Sequence, residues 1–360
     1  MNNRGLYIHV PFCLSKCPYC DFYSVGYTPE KAEEYSRAVI RNLRHYNKKY
    51  GYSFDTVYFG GGTPVLLHEH IGEILDNVRI SDNAEITLEA NPCVSSEAAL
   101  RNLINRGVNR ISFGIQSLSD KELSFLGRRH NADEGIKAIE TAYNAGFRNI
   151  SADLMLGLSG QTKETLGYSI DRLSQLPVNH ISAYMLKIEE NTPFGSMKLS
   201  LPEEDETAEL YLFACEQLEK KGFFQYEISN FAQKGMESKH NLKYWRSEEY
   251  LGIGPAAHSY LNGKRFSVER DIDGFIAADM QEITVTDESP GSFQEYAMLK
   301  LRLSEGLSYR ECEGFGIDRG CIENKLKTIP KSYIKQDENG IRLTPEGFLL
   351  SNTIIAKIIY

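Results

Sequence analysis

Tyr7-Ile8-His9-Val10-Pro11-Phe12-Cys13-Leu14-Ser15-Lys16-Cys17-Pro18-Tyr19-Cys20-Asp21-Phe22 joins a short β-rich run to three cysteines spaced Cys-x-x-x-Cys-x-x-Cys. Three thiolates are one short of what a closed four-iron cluster or a structural zinc site needs. If they hold a 4Fe-4S cluster, one iron lacks a protein ligand and is open to a small molecule. The residues alone also leave open three unligated thiols, or a zinc site with a distant fourth ligand.

Outward from that stretch, β-rich runs alternate with helical patterns up to about residue 187. The runs are Leu6–Val10, Thr56–Phe59, Glu85–Ala90, Arg110–Ile115, Asn149–Leu156 and His180–Leu186. Helical spacing fills Lys31–Lys48, His68–Asn77, Glu97–Arg106, Asp133–Ala145 and Lys163–Leu176. Such alternation predicts parallel strands joined by helical crossovers, an α/β fold. Six units are too few for a closed eight-stranded barrel and suit a partial (β/α)6 barrel or an open sheet.

Polar residues cluster just after these strands. The cysteines follow the first, Gly60-Gly61-Gly62-Thr63-Pro64 the second, Glu89-Ala90-Asn91-Pro92 the third and Gln116 the fourth, while Asp153 lies in the fifth. Parallel α/β folds bind ligands at the C-terminal ends of their strands, so these places are expected to converge on one mouth. The glycines let backbone approach a ligand, though a tight strand-to-helix turn would use them equally well.

Beyond residue 187 a helix is predicted over Glu203–Lys221 and an aromatic, strand-like run over Phe223–Phe231. Residues 240–260, rich in glycine and aromatics, read as a loop packed on the barrel. From Ser292 onward, helices at Gln294–Leu303 and Asp318–Lys327 precede a hairpin at Tyr333–Leu343 that turns at Glu338-Asn339-Gly340, and a last helix spans Pro345–Ile358. That order suggests a small winged-helix-like module. The expected division is 1–190 for the partial barrel with its cysteine site, 191–290 for a barrel extension, and 291–360 for the C-terminal module.

The net charge of −9 argues against general affinity for nucleic-acid phosphates. A hydrophobic fraction of 41% is ordinary for a globular protein, and no run has the length of a transmembrane span. Met1 to Val10 shows no secretory leader, and 7 cysteines, an odd number, do not suggest a disulfide framework. A reducing cytoplasm is therefore expected. Cys215, Cys312 and Cys321 read as core residues.

The Tyr7–Phe22 stretch resembles the radical S-adenosylmethionine (radical SAM) superfamily, in the branch of oxygen-independent coproporphyrinogen III oxidases and HemW heme chaperones. The resemblance implies a 4Fe-4S cluster on Cys13, Cys17 and Cys20, with S-adenosyl-L-methionine on the open iron. An electron from the cluster would cleave the sulfonium to a 5′-deoxyadenosyl radical. It further implies that Gly61, Gly62 and Thr63 receive the ligand's amino group and that Glu89 is its acidic contact. Gln116 and Arg128 would be the next polar contacts, with Arg129 a one-residue alternative to Arg128. Asp153 would accept from the ribose hydroxyls, and Tyr7 and Tyr19 would add contacts beside the cluster.

His240-Asn241-Leu242-Lys243-Tyr244-Trp245 matches the His-Asn-x-x-Tyr-Trp motif associated with heme binding in HemW proteins. His240 is thereby a candidate axial ligand, although a histidine beside the only tryptophan also suits a structural role. His9, expected to point into the barrel mouth, and His258, which follows the glycine-rich turn Gly252-Ile253-Gly254, could each touch substrate or heme, but each is read as structural. Absence of Cys-x-x-Cys-His excludes c-type attachment.

Three features separate chaperone from oxidase. Phe22 stands where the oxidases usually carry a further cysteine, few residues precede Cys13, and the His-Asn-x-x-Tyr-Trp segment is present. The expectation is a heme chaperone in porphyrin metabolism, binding heme and passing it to an acceptor protein. The alternative is a coproporphyrinogen III oxidase turning propionates into vinyls by radical decarboxylation. No catalytic residue is assigned, and enzymatic turnover is left open. An electron donor such as flavodoxin or ferredoxin fits either reading, with no nucleic acid and at most peripheral membrane contact.

Overall fold

The computed structural model describes residues 4–94 and 96–360. Arg4–Val10, Phe54–Gly61, Ile80–Ala90, Arg110–Gln116, Asn149–Leu156 and His180–Met185 lie side by side in chain order, each parallel to the next. The helices between them begin and end where local chemistry dictates. Thr28 caps Pro29–Tyr50 by accepting from the Lys31 N–H, and Gly51, at φ 65°, ends it. Asn131 and Glu134 form a capping box on Ala132–Ala145.

Each parallel strand has two unlike faces. Leu6, Ile8, Val57, Phe59, Leu88, Ile111, Phe113, Ile150, Ala152 and Ile181 are fully buried in a core shared with helix residues such as Tyr35, Val39 and Leu43. The alternate positions, Tyr7, His9, Tyr58, Glu89, Ser112, Asp153, Ser182 and Tyr184, line the concave side. A two-residue period therefore sorts apolar side chains outward beneath the helices and polar ones inward.

Residues 240–260 are not a loop. Lys239–Trp245 is a helix, and Tyr250–Ile253 and His258–Leu261 are strands. Tyr250–Ile253 pairs in parallel with the first strand, Gly5 opposite Tyr250 and Ile8 opposite Ile253. His258–Leu261, Lys264–Val268 and Ile283–Asp287 extend that edge antiparallel. At the other edge Asn230–Ala232 and Phe224–Gln225 do the same, giving a sheet of 12 strands among the described residues. Glycines that look like loop punctuation serve close strand contact: a Cβ on Gly252 would lie 2.1 Å from the His258 carbonyl oxygen.

The C-terminal module has helices Phe293–Lys300, Tyr309–Gly314 and Arg319–Leu326, and the predicted hairpin pairs Ile334–Gln336 with Gly340–Leu343. Leu307–Ser308 adds a third strand. The last helix is broken at Leu350 into Pro345–Leu349 and Ser351–Ile359. Cys312 is buried as expected, whereas Cys321 is exposed and donates to Asp318. No helix of the described residues is long and apolar enough to cross a membrane.

Gln281 ties the added strand to the barrel. Its backbone N–H donates to Asn42 (2.8 Å), its side-chain amide donates to the Gly252 carbonyl (2.9 Å), and its Oε1 accepts from the Gly254 N–H (3.2 Å). Gln281→Leu would strand two buried backbone groups, at roughly 1–3 kcal/mol each. A fall of about 2–4 kcal/mol in unfolding free energy is expected from urea titration. An unchanged midpoint would show that these bonds contribute nothing.

Candidate functional site

The cysteine loop is shaped by backbone pairing on both sides. Phe12–Cys13 pairs in parallel with Val25–Gly26, and the Cys20 N–H closes a turn on the Cys17 carbonyl at 3.1 Å. All three thiols are free and line a cavity of about 160 Å³ together with Gly61, Gly62, Glu89 and Asn91. The glycine loop is clamped onto this one: Gly62 N–H donates to Val10 (2.8 Å) and Thr63 N–H to Phe12 (2.7 Å). A Cβ at Gly62 would stand 2.5 Å from the Phe12 carbonyl oxygen. These glycines thus serve the packing of one loop on the other as well as the approach to the cavity.

A relay of polar side chains reaches the sulfurs. Arg128 donates to Cys17 Sγ (3.4 Å) and to Asn91 (2.5 Å), Asn91 donates to Thr63 Oγ1 (2.8 Å), and Thr63 donates to Cys13 Sγ (3.7 Å). Donors aimed at thiolate sulfur are what an iron–sulfur cluster needs around it, so the residues present fit that group. Arg128 also donates to the Gly114 carbonyl at 2.7 Å, and its buried Nε has no partner. The neighbouring Arg129 is exposed.

Behind the cysteines, Glu89 accepts from the Tyr58 hydroxyl (2.7 Å) and the Gly61 N–H (3.1 Å). Burial lifts its pKa to about 7 and that of Asp153 to about 6, against the pull of Tyr58 on the first and Ser182 on the second. Gln116 sits past a register shift at φ 70°, a strained conformation for a non-glycine residue, and accepts from the Tyr184 hydroxyl at 2.9 Å. Two carboxylates facing an open space fit a ligand that bears positive charge and hydroxyls.

This space widens into a second cavity of about 810 Å³, within the usual size range of ligand sites. Tyr7, Tyr19, Glu89, Asp153, His9 and His258 all line it. His240 does not. It is 0% exposed, with Nδ1 on Thr56 Oγ1 (2.8 Å), Nε2 on the Tyr244 hydroxyl (2.7 Å), and its ring stacked on Tyr58. From the same segment, Asn241 and Tyr244 reach the cavity instead. The helix carrying them is anchored from below, because Glu85 accepts from the Lys239 and His240 N–H groups at 3.2 and 3.1 Å.

The structure therefore brings Cys13, Cys17, Cys20, Tyr7, Tyr19, Gly61, Gly62, Thr63, Glu89, Gln116, Arg128 and Asp153 around adjoining cavities, and leaves His240 beneath them. Sequence reasoning placed Asn91 at the mouth without a role and missed Tyr58, Ser112 and Tyr184. The two-residue alternation within the strands would have found these three. Arg110, a buried arginine at a strand start, shares the face of Ser112 and lines the larger cavity, although an arginine there would ordinarily be expected to reach water.

A family model of the radical SAM superfamily matches residues 7–173. The heme chaperone HemW of Bacillus subtilis (strain 168) is 36% identical over 99% of this chain and 99% of its own. That of Escherichia coli (strain K12) is 34% identical over 98% of this chain and 97% of its own. A mitochondrial radical S-adenosyl methionine domain-containing protein 1 of Danio rerio is 31% identical, with coverage of 99% and 86%. Among solved structures, the coproporphyrinogen III oxidase HemN of Escherichia coli has a TM-score of 0.82 at 19% identity, covering 99% of this chain and 90% of that one, which shows the fold.

The raised carboxyls make stability depend on pH. Between about 4.5 and 7 the unfolded chain has released the Glu89 proton while the folded chain retains it. Stability from this group is thus fully present below that window and declines as pH rises through it. Glu89→Gln should lose that decline, gaining roughly 2 kcal/mol on the parent between pH 5 and pH 8, with cavity water screening part of the shift. Parallel pH profiles of the urea midpoints would show Glu89 ionised throughout.

Proposed function

We propose that this chain, which belongs to the HemW family of radical SAM proteins, binds heme and hands it to an acceptor protein. The observation that carries the reading is the match to HemW relatives along the whole chain, 99% of both partners in the Bacillus subtilis case. A cavity of about 810 Å³, which Cys20 also lines and in which tyrosines, Phe22, Met155, Met185 and Leu186 stand beside charged side chains, is the support from the structure.

Family membership implies a 4Fe-4S cluster and S-adenosyl-L-methionine. Cys13, Cys17 and Cys20 would hold the cluster; Tyr7, Tyr19, Gly61, Gly62, Thr63, Glu89, Gln116, Arg128 and Asp153 would surround the nucleoside ligand. When bound, the pair supplies reductive cleavage of a sulfonium. The chain's own part is preparatory. Arg128 and Thr63 direct N–H and O–H donors at Cys17 and Cys13, steadying thiolate charge. Tyr58 donates to one Glu89 carboxylate oxygen and the Gly61 N–H to the other, which fixes the carboxyl at the cavity wall. Tyr184 orients the Gln116 amide.

Heme would enter the wider cavity, whose rim carries the exposed Phe22 and Met185. Phe22 has no thiol with which to add another metal ligand, which favours a carrier over the oxidase reading. The acceptor is a heme-requiring apoprotein, the electron donor a flavodoxin or ferredoxin, and the compartment the cytoplasm.

Reconstituted full-length protein is expected to bind ferric hemin at about one per chain and to release it to apomyoglobin, followed by Soret absorbance. Conversion of coproporphyrinogen III to its divinyl product under anaerobic, reducing conditions would replace the carrier reading by the oxidase. Separately, Cys13→Ala, Cys17→Ala and Cys20→Ala should each lose the broad iron–sulfur absorbance. Full iron occupancy in any of them would remove that cysteine from the ligand set.

A further inference from the structure

We infer that His258 is the imidazole this cavity offers to heme iron, with Arg270 beside it to take a propionate; the inference rests on the heme-carrier reading. A neutral imidazole has one donor and one acceptor nitrogen, so a ring with both engaged has no lone pair for a metal. His240 is in that position, between Thr56 and Tyr244. So is His9, with Nδ1 on the Tyr7 hydroxyl (3.0 Å) and Nε2 on the Tyr23 carbonyl (3.0 Å). His180 is held the same way by Ser151 (2.7 Å) and Tyr226 (2.8 Å). Freeing any of these rings would leave two buried polar partners unsatisfied.

His258 differs on each count. It is exposed, lines the larger cavity, and its ring makes no hydrogen bond among the described residues. Partial burial and the Arg270 charge lower its pKa, which keeps it in the neutral form that binds metals. Its backbone is nevertheless fixed. Strand His258–Leu261 pairs with Lys264–Val268, and the next residue, Ser259, accepts from the Gly252 N–H at 2.8 Å. The turn before it carries Gly254 at φ 107° and Ala256 at φ 67°, the latter strained for a residue with a side chain. A rigid main chain under an uncommitted ring is a preorganised ligand.

The surroundings match the rest of a heme. Arg270 lines the same cavity, is exposed, and forms no ion pair among the described residues. A guanidinium binds a carboxylate through two parallel N–H groups. Phe22 and Met185, 65% and 40% exposed, give the cavity apolar surface for a macrocycle face.

The experiment titrates ferric hemin into the reconstituted full-length chain, His258→Ala, His240→Gln and Arg270→Gln, with absorbance and EPR as readouts. The parent and His240→Gln should show an imidazole-ligated spectrum. His258→Ala should lose that spectrum and bind about tenfold or more weakly, and added imidazole should restore the spectrum. Arg270→Gln should weaken hemin but not its dimethyl ester. Retained iron–sulfur absorbance marks His258→Ala as folded. A histidine spectrum that survives in His258→Ala overturns the assignment while leaving the carrier reading intact, as does hemin binding by the parent with no imidazole signature. Failure of the parent to bind hemin at all defeats the carrier reading, and this inference with it.

Discussion

Every parallel strand of this fold must satisfy a row of polar side chains on its concave face, in a space largely closed to water. An unpaired polar group there costs about as much as a lost hydrogen bond or more, so the row is either paired within itself or turned toward a ligand. Its lower part is paired. Thr56 meets His240, Ser151 meets His180, and Glu85 caps the helix that brings His240 in. Its upper part, where Glu89 and Asp153 face the cavity, is incompletely paired, and the Nε of Arg110, which reaches the same cavity from a strand start, has no hydrogen-bond partner. The boundary between the two layers is the floor of the site.

The cysteine site depends on the same arrangement from above. Three chain segments distant in sequence meet there through Arg128, Asn91 and Thr63, which connect the cysteine loop to the ends of the second, third and fourth strands. Glycine at 62 is what permits the loops to lie backbone on backbone. The cysteines are consequently arranged by hydrogen bonds of the protein itself, before any metal is considered. Three cysteines, one fewer than a closed four-iron cluster takes, suit a cluster that receives a small molecule, and by themselves do not distinguish an enzyme from a carrier.

Much of this was legible in the residues. Asn149–Leu156 begins and ends where its β-rich pattern does, and the other five strands lie within a few residues of their expected bounds. The clustering of Cys13, Gly61, Glu89, Gln116 and Asp153 followed from their shared place at strand ends. Residues 240–260 were misread because a four-residue strand such as Tyr250–Ile253 carries too short a pattern, and its Gly252 imitates a loop. What makes it a strand is a partner 245 residues away: Gly5 pairs with Tyr250.

The imidazoles show the division most clearly. The parallel α/β frame, the spacing of three cysteines and the family were readable from the residues alone, because periodicity, spacing and motif are local properties of a chain. The sequence also placed His240 in a heme-associated motif and His258 after a glycine-rich turn. Which ring nitrogens are free was decided only by the tertiary structure. Thr56 lies 184 residues from His240, and their hydrogen bond exists solely because the sheet brings them together. A side chain's availability depends on what surrounds it in space, and neighbours in sequence do not reveal that.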